Sequence, residues 1–465
     1  MQVLLNKYLL DYLEKERVEM DPYQYINSFA RFGRKKGYKP GHERINALLE
    51  TFSHPENKMK IIHVAGSNGK GSTVTYLKNI YKEAGYKVGT YTSPHLIEFN
   101  ERIEMNGRKI STEELEELVD KFKPVVEKIK DNGPGEPTFF ELVTAMAFIY
   151  FYQEKVDLLI LETGLGGLLD ATNIVKKPLA SVITGVSLEH TDILGNSIQD
   201  IAREKAGIIK EGTPVVTGVQ DRDALAVIEK ISAEKNSKLI NINDRYSYEL
   251  KESKLEGQSF LLRHREGDHE VSQQELIPEG EYRTGMIGSF QVRNAVLAME
   301  VVRLLQEELP VSGEALQEGL LKAYIPGRME LIRKEPLLLV DGAHNTEGME
   351  NFVSSLLTFK KGGAINNNGR LYIILSVLDD KDLNNMLKAL SQLKEFELII
   401  SENSNERALS ADVIEEKARL LGIKSKILKP LEAALKEALH SASKEDLICV
   451  VGSLYNVAEI KRFLK

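Results

Sequence analysis

A glycine-rich run with a single lysine carries the strongest chemical signal in the sequence. It reads Gly-Ser-Asn-Gly-Lys-Gly-Ser over residues 66–72, between an apolar run at 61–65 and a stretch with apolar residues at helical spacing. Backbone N–H groups of such a turn can surround phosphate oxygens, while the following helix N-terminus and Lys70 add positive charge. The predicted nucleoside triphosphate site comprises Gly66, Asn68, Gly69, Lys70, Gly71 and Ser72.

This loop is not the most common nucleotide-binding pattern. Glycine follows Lys70 where serine or threonine is usual, and the first glycine comes two positions late. An ordinary glycine-rich turn between a strand and a helix is therefore the alternative.

Two residues that can bind a cation follow predicted strands. Glu162 and His190 lie at or just after the carboxyl ends of apolar runs, where open α/β sheets place their ligands. Carboxylate, imidazole and hydroxyl groups can together hold a Mg²⁺ that bridges ATP phosphates, although imidazole is a less usual ligand for so hard an ion. A surface glutamate and a hydrogen-bonded core histidine are the alternatives.

Two further charged residues have an open role. Lys205 belongs to a helical pattern that begins near Ser197, and amphipathic helices normally direct lysines to solvent, so the sequence alone predicts a surface side chain. Asp341 ends the apolar run 337–340, and His344 follows within one turn. Asp341 is predicted either to orient a nucleotide or to cap the helix that follows.

The N-terminal elements that must position these residues alternate between strand and helix patterns. Such alternation predicts a mostly parallel sheet. Ser111 and Glu114 form a capping-box pattern that predicts a helix start. The polar, alternating region 246–281 predicts an antiparallel appendage. The predicted parallel strands span 60–65, 87–92, 156–161, 180–186 and 214–219.

A second, smaller series of strands and helices begins near residue 337. It predicts a doubly wound, Rossmann-like domain. Proline and glycine at 326–327 separate the two series. The predicted fold class is α/β, with a phosphate-loop, parallel-sheet domain over 1–326 and the doubly wound domain over 327–465. The predicted strands of the second series span 337–340, 371–377, 396–400 and 447–451, and its first helices span 346–357 and 382–393.

Composition limits the class of protein further. Of the 465 residues, 42% are hydrophobic and 28% are charged, with a formal net charge of -8. This charge provides no field that attracts nucleic acid, and no run reaches the ~18 apolar residues of a membrane span. The single cysteine, Cys449, is predicted to lie in the core. We expect a cytoplasmic monomer that acts on small molecules, without nucleic acid or membrane partners.

Further motifs, in order along the chain, resemble those of one family. They are Thr-Ser-Pro-His-Leu at 92–96, Glu-Thr-Gly-Leu-Gly-Gly at 162–167, Asp-Ala-Thr-Asn at 170–173, Glu-His at 189–190, Glu-Lys-Ala-Gly-Ile at 204–208, Gly-Arg-Met-Glu at 327–330 and Asp-Gly-Ala-His-Asn at 341–345. Together with the variant phosphate loop, they resemble folylpolyglutamate synthase and dihydrofolate synthase, which are related to the muramyl-peptide ligases. The resemblance covers most of the chain.

The resemblance implies metal-binding roles. Ser93, Glu162 and His190 would hold a Mg²⁺ ion. Similar ligases carbamylate the lysine that matches Lys205, and the resulting anion would bind a second Mg²⁺ near the incoming carboxyl group. The implied cofactors are therefore ATP, two Mg²⁺ ions and a carbamylated lysine.

The resemblance also implies nucleotide-binding and catalytic roles. Asn294, Arg328 and Asp341 would bind the nucleotide across the cleft between the domains. The residues implied in catalysis are Lys70, Lys205 and His344.

The function implied by the resemblance is ATP-dependent ligation of L-glutamate to a reduced folate or its polyglutamate. A substrate carboxylate attacks the γ-phosphate to give an acyl phosphate and ADP, and the amine of glutamate then displaces phosphate. Whether dihydropteroate is also joined to glutamate stays open, because both reactions use the same machinery and differ in the pterin pocket.

Four positions depart from the family's usual residues. Ser67 stands where threonine is usual and Glu189 where aspartate is usual, whereas Leu168 replaces arginine and Phe290 replaces histidine. The loss of two polar groups favours a second hypothesis, a nucleotide-binding regulatory protein that has lost ligation. A muramyl- or cyanophycin-type ligase is the third, although the Ser-Pro-His-Leu and Gly-Lys-Gly-Ser segments argue against it.

Overall fold

A computed structural model of the chain describes residues 20–30, 41–265, 276–366 and 368–464. Within these ranges the strands form three sheets, of eight, three and six strands. No helix in the described ranges is long and apolar enough to cross a membrane. The predicted α/β class is confirmed, with a mostly parallel sheet in the N-terminal part and a separate sheet in the C-terminal part.

The eight-stranded sheet organises the N-terminal part. Its strands are β1 Ile61–Ala65, β2 Val88–Tyr91, β3 Ile103–Met105, β4 Arg108–Lys109, β5 Leu158–Glu162, β6 Ala180–Ile183, β7 Val215–Thr217 and β8 Leu239–Asn241. They are ordered β4-β3-β2-β5-β1-β6-β7-β8. The pairs β2–β3 and β3–β4 are antiparallel, and all other pairs are parallel.

The central strands bury both of their faces. Along β1, Ile62 and Val64 pack into one apolar core, and Ile61 packs into a second core. Strand residues alternate between the two faces of a sheet, so a strand between two helical layers is apolar throughout. Helices therefore cover both sides, and only the ends of these strands can present polar groups to a ligand.

The helices of the N-terminal part begin at recognisable capping residues. Ser111 accepts a hydrogen bond from the N–H of Glu114, which confirms the predicted capping box. The α-helices are Pro22–Asn27, Glu43–Glu50, Lys70–Glu83, Thr112–Asn132, Phe139–Gln153, Thr191–Leu194, Ile198–Ala206, Arg222–Glu234, Ile242–Arg245, Ser289–Leu304 and Gly313–Leu321. Short 3-10 helices span Pro55–Lys58, Phe99–Arg102 and Ala171–Ile174.

The predicted antiparallel appendage is a three-stranded sheet. It consists of β9 Tyr246–Lys254, β10 Gly257–His264 and β11 Gly280–Thr284, in the order β11-β10-β9 with antiparallel pairing. Tyr246 donates a 2.6 Å hydrogen bond to Glu300, which ties the sheet to the helix Ser289–Leu304.

The C-terminal sheet is doubly wound, as predicted. Its strands are β12 Glu330–Lys334, β13 Leu337–Val340, β14 Leu371–Leu375, β15 Glu397–Ile400, β16 Ser425–Ile427 and β17 Leu447–Val451, in the order β12-β13-β17-β14-β15-β16. Its helices are Thr346–Lys361, Leu383–Leu390, Ala411–Leu420, Leu431–Ser441 and Leu454–Phe463. Cys449 is buried in β17. The domain boundary at 326/327 stays a prediction.

Three strand ends meet at one edge of the N-terminal sheet. Since β5, β1 and β6 are parallel neighbours, their carboxyl ends bring together the loop at 66–69, the Glu162 side chain and the segment that leads to His190. The sheet topology therefore gathers motifs that lie far apart in the chain, at positions 66–69, 162 and 190.

Candidate active site

The loop after β1 is held by its own lysine and by neighbouring elements. Lys70 Nζ donates to the carbonyl oxygens of Gly66 at 2.7 Å and Ser67 at 3.4 Å. Thr184, directly after β6, donates a 2.6 Å hydrogen bond to the carbonyl oxygen of Asn68. The predicted turn is therefore an ordered loop whose lysine lies over its own backbone, at the N-terminus of the helix Lys70–Glu83.

Gly69 allows a helix from later in the chain to approach this loop. It has a φ of +87°, and a Cβ atom there would lie 2.5 Å from Asn294 Oδ1. Asn294 is buried, and its amide donates to Gln291 at 3.0 Å. A side chain at position 69 would thus both strain the backbone and displace Asn294.

A cavity of about 320 Å³ opens above the loop, and we call it the phosphate-loop cavity. It is lined from both parts of the chain, with Arg328 and His344 contributed by the C-terminal part. The predicted site residues on its wall are Asn68, Gly69, Lys70, Gly71, Ser72, Ser93, Glu162, His190, Arg328 and His344. Gly66, Asn294, Lys205 and Asp341 are not on this wall.

Glu162 is the buried carboxylate of this cavity. It is 4% exposed at the end of β5, and the N–H of Ser93 donates to its Oε2 at 3.4 Å. Burial raises the pKa of Glu162 to about 7, although Lys70 and the Ser93 N–H oppose the shift. A bare carboxylate is therefore poorly stabilised here, and a bound cation would offset its desolvation.

The donor set suits a magnesium ion that is only partly held by protein. No group of three or more His, Cys, Asp or Glu side chains that could hold a metal is found in the described ranges. Mg²⁺ usually keeps several waters and binds one or two carboxylates together with substrate phosphates. The Glu162 carboxylate and the Ser93 hydroxyl, beside a phosphate loop, fit that pattern. His190 is exposed at the same cavity with a φ of 46°.

Lys205 is buried, contrary to the surface position predicted from its helix. It is 1% exposed, and its Nζ donates to Glu189 Oε1 at 2.6 Å. The helix Ile198–Ala206 is itself covered, because Ile201, Ala202 and Ala206 pack into the protein on neighbouring positions. The helix has the predicted amphipathic pattern. Its buried face nevertheless includes Lys205, whose charge is paired with Glu189.

The electrostatics of this pair follow from its burial. Burial lowers the pKa of the Lys205 ammonium, while Glu189 opposes that shift. Burial alone would raise the pKa of Glu189, but the positive charges of Lys205 and Lys70 outweigh it and lower the pKa to about 2. Glu189 lines the phosphate-loop cavity, so Lys205 reaches the site through its ion-pair partner.

Asp341 holds the C-terminal side of the cleft together. Its two carboxylate oxygens accept 2.7 Å hydrogen bonds from the N–H groups of Met329 and Ala343. The alternative in which Asp341 caps the following helix is wrong, because Asn345 is the N-cap of the helix Thr346–Lys361. Asp341 therefore fixes the backbone directly after Arg328, at Met329, and directly before His344, at Ala343.

His344 is a neutral imidazole at the cavity wall. Burial, with Arg328 nearby, lowers the pKa of His344 to about 4. Its Nδ1 lies 2.7 Å from the carbonyl oxygen of Gly342. Because a carbonyl oxygen only accepts, Nδ1 carries the proton and Nε2 is the acceptor nitrogen.

The two parts of the chain also meet directly at the phosphate loop. Asn68 Nδ2 donates to Glu347 Oε2 at 2.6 Å, and Asn345 Nδ2 donates to Asn68 Oδ1 at 3.2 Å. Arg293 adds a 3.5 Å ion pair to Glu347. Both hydrogen-bonding atoms of the Asn68 side chain are thus engaged by the first turn of the helix Thr346–Lys361 and its N-cap.

A second cavity, also of about 320 Å³, adjoins the first, and we call it the apolar cavity. Three carboxylates line it, those of Glu141, Asp170 and Glu204, and Glu141 forms a 2.9 Å ion pair with Arg44. Arg102 contributes a cation to the wall. A Cβ on Gly164 would collide with the Phe140 ring, so glycine is required there. Its apolar lining consists of Phe139, Phe140, Leu165, Leu169, Ala171, Ile193 and Leu194. Both cavities are lined by Ser93, Pro94, Gly164 and Leu165.

Family models match both parts of the chain. The Mur ligase middle domain matches residues 64–302, and the Mur ligase, glutamate ligase domain matches residues 327–454. The fold and the site thus define an ATP-dependent acid–amino-acid ligase with the Mur ligase fold.

Individual relatives narrow this class. The dihydrofolate synthase/folylpolyglutamate synthase of Bacillus subtilis (strain 168) is 39% identical over 446 residues, which cover 95% of this chain and 99% of that protein. The folylpolyglutamate synthase structure from Thermotoga maritima matches with a TM-score of 0.76 at 33% identity, over 98% of this chain and 97% of that one. A folylpolyglutamate synthase complex with AMPPCP and folate matches with a TM-score of 0.79 at 28% identity, over 95% and 98% of the two chains.

The chain belongs to the folylpolyglutamate synthase family of the Mur ligase superfamily. These relatives leave no support for the muramyl- or cyanophycin-type alternative.

Two features of the site were not predicted from the sequence. The apolar cavity is built around Phe139 and Phe140, which follow the N-cap Thr138 in a helix that is apolar on all sides. The only signal was that such a helix must be buried against more than one partner. The contacts of Asn345 and Glu347 with Asn68 carried no signal, because they depend on how the two parts of the chain pack.

Proposed function

We propose that this protein joins L-glutamate to a reduced folate or folylpolyglutamate through an acyl phosphate. An oxygen of the acceptor carboxylate attacks the γ-phosphorus of ATP, and ADP leaves. The amine of glutamate then attacks the acyl carbon, inorganic phosphate leaves with the attacking oxygen, and the nitrogen loses its proton. The observation that carries this proposal is the wall that the two cavities share at Ser93, Pro94, Gly164 and Leu165.

On the nucleotide side, the phosphate loop would bind the phosphates. Lys70 is one hydrogen-bond length from the loop carbonyls, so its ammonium can move onto the β- and γ-phosphates without a change of the backbone. Preorganised N–H groups and a cation at a helix N-terminus stabilise the charge that develops during phosphoryl transfer. Arg328 would add a second cation from the C-terminal part, and Asp341 would keep it in place through Met329 and Ala343. Asn294 would keep the loop in its conformation.

Magnesium would be held by Glu162 and Ser93, with His190 at the edge of the same cavity. When bound, the ion neutralises phosphate charge and orients the γ-phosphate. The raised pKa of Glu162 supports this assignment, because burial without a bound cation disfavours the ionised carboxylate.

Lys205 is proposed to carry a carbamate. Its neutral amine would attack CO₂, forming an N–C bond and releasing one proton, and the resulting anion would face a second Mg²⁺. The burial that lowers the pKa of Lys205 supports this step, since only the unprotonated amine is nucleophilic. Glu189 would then lie beside the carbamate anion and would help to hold the second Mg²⁺, without donating or accepting a proton.

On the acceptor side, the apolar cavity has the chemistry to take the aromatic part of a pteridine acceptor. Phe139 and Phe140 supply ring faces, and Arg102 supplies a cation near the shared wall. A ring bound there would direct its carboxylate arm toward Ser93 and Gly164, and hence toward the phosphate loop. The reported folate complex of a relative supports a folate acceptor.

We infer a second activity, the ligation of glutamate to dihydropteroate. The Bacillus subtilis relative is named for both reactions. The apolar cavity also supports it, because binding would rest on the pteridine ring that the two acceptors share rather than on an existing glutamate. His344 is proposed to act in catalysis by orienting the incoming glutamate, because its neutral Nε2 at the cavity wall can accept a hydrogen bond from the glutamate nitrogen.

ADP release measured with a panel of acceptors tests these activities. The panel is pteroate, dihydropteroate and tetrahydrofolate, each with and without L-glutamate at saturating ATP and Mg²⁺. Release that requires both glutamate and a reduced acceptor supports ligation. ADP release with no dependence on either substrate would instead support the regulatory hypothesis that Leu168 and Phe290 raised.

A further inference from the structure

A chain of buried hydrogen bonds runs from the central strand of the N-terminal sheet to the wall shared by the two cavities. His63, in the middle of β1, is 0% exposed, and its Nε2 lies 2.8 Å from Thr172 Oγ1. The Thr172 hydroxyl donates to Asp170 Oδ1 at 2.6 Å. Asp170 Oδ2 accepts from the N–H groups of Gly164 at 2.9 Å and Leu165 at 2.8 Å. None of these contacts involves the phosphate loop.

The direction of each hydrogen bond follows from the number of available protons. Three backbone N–H groups point at the Asp170 carboxylate, so it is an acceptor, and the single hydroxyl proton of Thr172 goes to it. Thr172 Oγ1 must then accept from His63, which places the His63 proton on Nε2. Burial lowers the pKa of His63 to about 3, so the imidazole is neutral. Its Nδ1 has no hydrogen-bond partner in the described ranges.

Asp170 has no capacity left for a ligand. Its Oδ1 accepts from the N–H and the hydroxyl of Thr172, and its Oδ2 accepts from Gly164 and Leu165. An ionised carboxylate has about four acceptor sites, and these four donors fill them. Asp170 therefore acts on the site by holding the turn at Gly164 and Leu165, both of which line both cavities.

We infer that His63 is a positioning residue for ligation, acting through Thr172 and Asp170 to fix the turn at Gly164 and Leu165. This inference rests on the proposed function, because that turn is where the acceptor would meet ATP. His63 lines neither cavity, so its side chain would act through these hydrogen bonds. The turn and the segment around Asp170 together contribute Gly164, Leu165, Leu169, Asp170 and Ala171 to the wall of the apolar cavity.

The substitution His63→Leu removes the donor and keeps an apolar side chain of comparable size. The Thr172 hydroxyl would then be free to turn away from Asp170. Asp170 would hold the turn at Gly164 and Leu165 less firmly, and the acceptor would bind more weakly. The KM for the acceptor should rise ~10-fold, the size expected for loss of one well-buried hydrogen bond. The KM for ATP should change less than ~2-fold, because the proposed contacts of ATP are chiefly with the loop at 66–72. His63→Gln, which retains a donor nitrogen, should recover most of the acceptor KM.

A matched control exists on the neighbouring strand. Ser181 pairs directly with His63 across β1 and β6, is fully buried, and donates a 2.9 Å hydrogen bond to the carbonyl of Ile208. Ser181→Ala therefore loses a buried hydrogen bond at the same depth in the sheet without touching the chain to Asp170. It should lower thermal stability and leave the acceptor KM unchanged, and a reduced folded fraction cannot change a KM.

The decisive experiment is a double-mutant cycle with His63→Leu and Thr172→Val, read as the acceptor KM. The double variant should be no worse than the more affected single variant, because both break the same chain. Additive effects, or an unchanged acceptor KM in a folded His63→Leu protein, would overturn the inference.

Wild-type ligation, measured in parallel, tests the proposed function by itself.

A second readout keeps the inference independent of activity. Nitrogen-15 NMR of the His63 imidazole should show a protonated Nε2 and an unprotonated Nδ1 from pH 8 to pH 5. A proton on Nδ1, or titration within that range, would overturn it even in a protein that proves inactive.

Discussion

The Lys205 ammonium lies 2.6 Å from the Glu189 carboxylate inside the protein, on a helix whose sequence pattern would place a lysine in solvent. Breaking one partner of a buried ion pair leaves an unpaired charge and commonly costs about 3–5 kcal/mol. Loss of stability in a Lys205 variant therefore cannot by itself identify a carbamate. The activity of paired substitutions can.

We predict that Lys205→Ala is at least ~100-fold less active and is not rescued by removing its partner. If Lys205 serves only to neutralise Glu189, the double variant Lys205→Ala with Glu189→Gln should regain activity, because the unpaired charge is gone. If the lysine carries a carbamate, the double variant stays inactive, wild-type turnover falls when CO₂ and bicarbonate are excluded, and a short carboxylate partly restores Lys205→Ala. Arg203→Ala, an exposed change on the same helix, is the control and should be neutral.

Lys70→Ala should reduce ligation by ~100-fold or more while the protein stays folded. Within the described part of the chain, Lys70 donates only to carbonyls of its own loop and belongs to none of the apolar cores. The control is Lys82→Ala, an exposed lysine on the same helix, which should keep wild-type turnover. Turnover of both variants at saturating ATP, with thermal unfolding as a check on folding, decides the matter. Equal activity of the two would remove Lys70 from the mechanism.

Glu162→Gln should shift the Mg²⁺ requirement far more than it shifts thermal stability. The change keeps the size of the side chain and deletes the anion that would hold the ion. A titration of activity with Mg²⁺ measures this, and a curve that superimposes on the wild-type curve contradicts the metal role.

Glu162→Gln should also change how the unfolding free energy of the metal-free protein depends on pH. Because burial raises the pKa of Glu162 from 4.5 to about 7, folded Glu162 binds a proton between these values that the unfolded chain has released. The unfolding free energy therefore falls as pH rises through this window, by up to about 3 kcal/mol from this group. Glu162→Gln should lack that contribution, so its stability should fall less than that of the wild type between pH 5 and pH 8. Denaturant unfolding with a chelator present measures the difference.

Glu347→Ala should lower kcat/KM for ATP. Glu347 and Asn345 together form hydrogen bonds with both polar atoms of the Asn68 side chain in the phosphate loop. Loss of a hydrogen bond to a charged group costs about 1.5–3 kcal/mol, so kcat/KM for ATP should fall ~10-fold or more. Glu350→Ala, an exposed change on the same helix, should leave it unaltered. If both variants match the wild type, the contact between the two parts of the chain has no role in turnover.

Much of the fold was predictable because strand and helix periodicities are local. The runs at 337–340 and 447–451 coincide with β13 and β17, since buried parallel strands are continuously apolar. Strands β12 and β16 were missed, because β12 is a half-exposed edge strand and β16 has only three residues. For these, pairing with a neighbour outweighs local pattern.

The site was predictable only where one segment carries the chemistry. The phosphate loop could be predicted because its glycine-rich turn and the start of the following helix lie within seven residues. Lys205 was placed in solvent from its helix because its partner, Glu189, is sixteen positions away and on another element. The apolar cavity and the hydrogen-bond chain from His63 to Asp170 likewise join segments that only the parallel sheet brings together.

Transfer of isotope from the acceptor tests the central claim most directly, namely that a carboxylate in the apolar cavity attacks ATP in the phosphate-loop cavity. The acceptor carboxylate is labelled with oxygen-18, the protein is allowed to ligate glutamate with ATP and Mg²⁺, and the inorganic phosphate is analysed by mass spectrometry. We predict one oxygen-18 atom in the phosphate for each glutamate joined, because the attacking oxygen leaves with phosphorus when the amine displaces it. Phosphate without the label, accompanied by ligated product, would contradict the acyl phosphate and the role assigned to the shared wall.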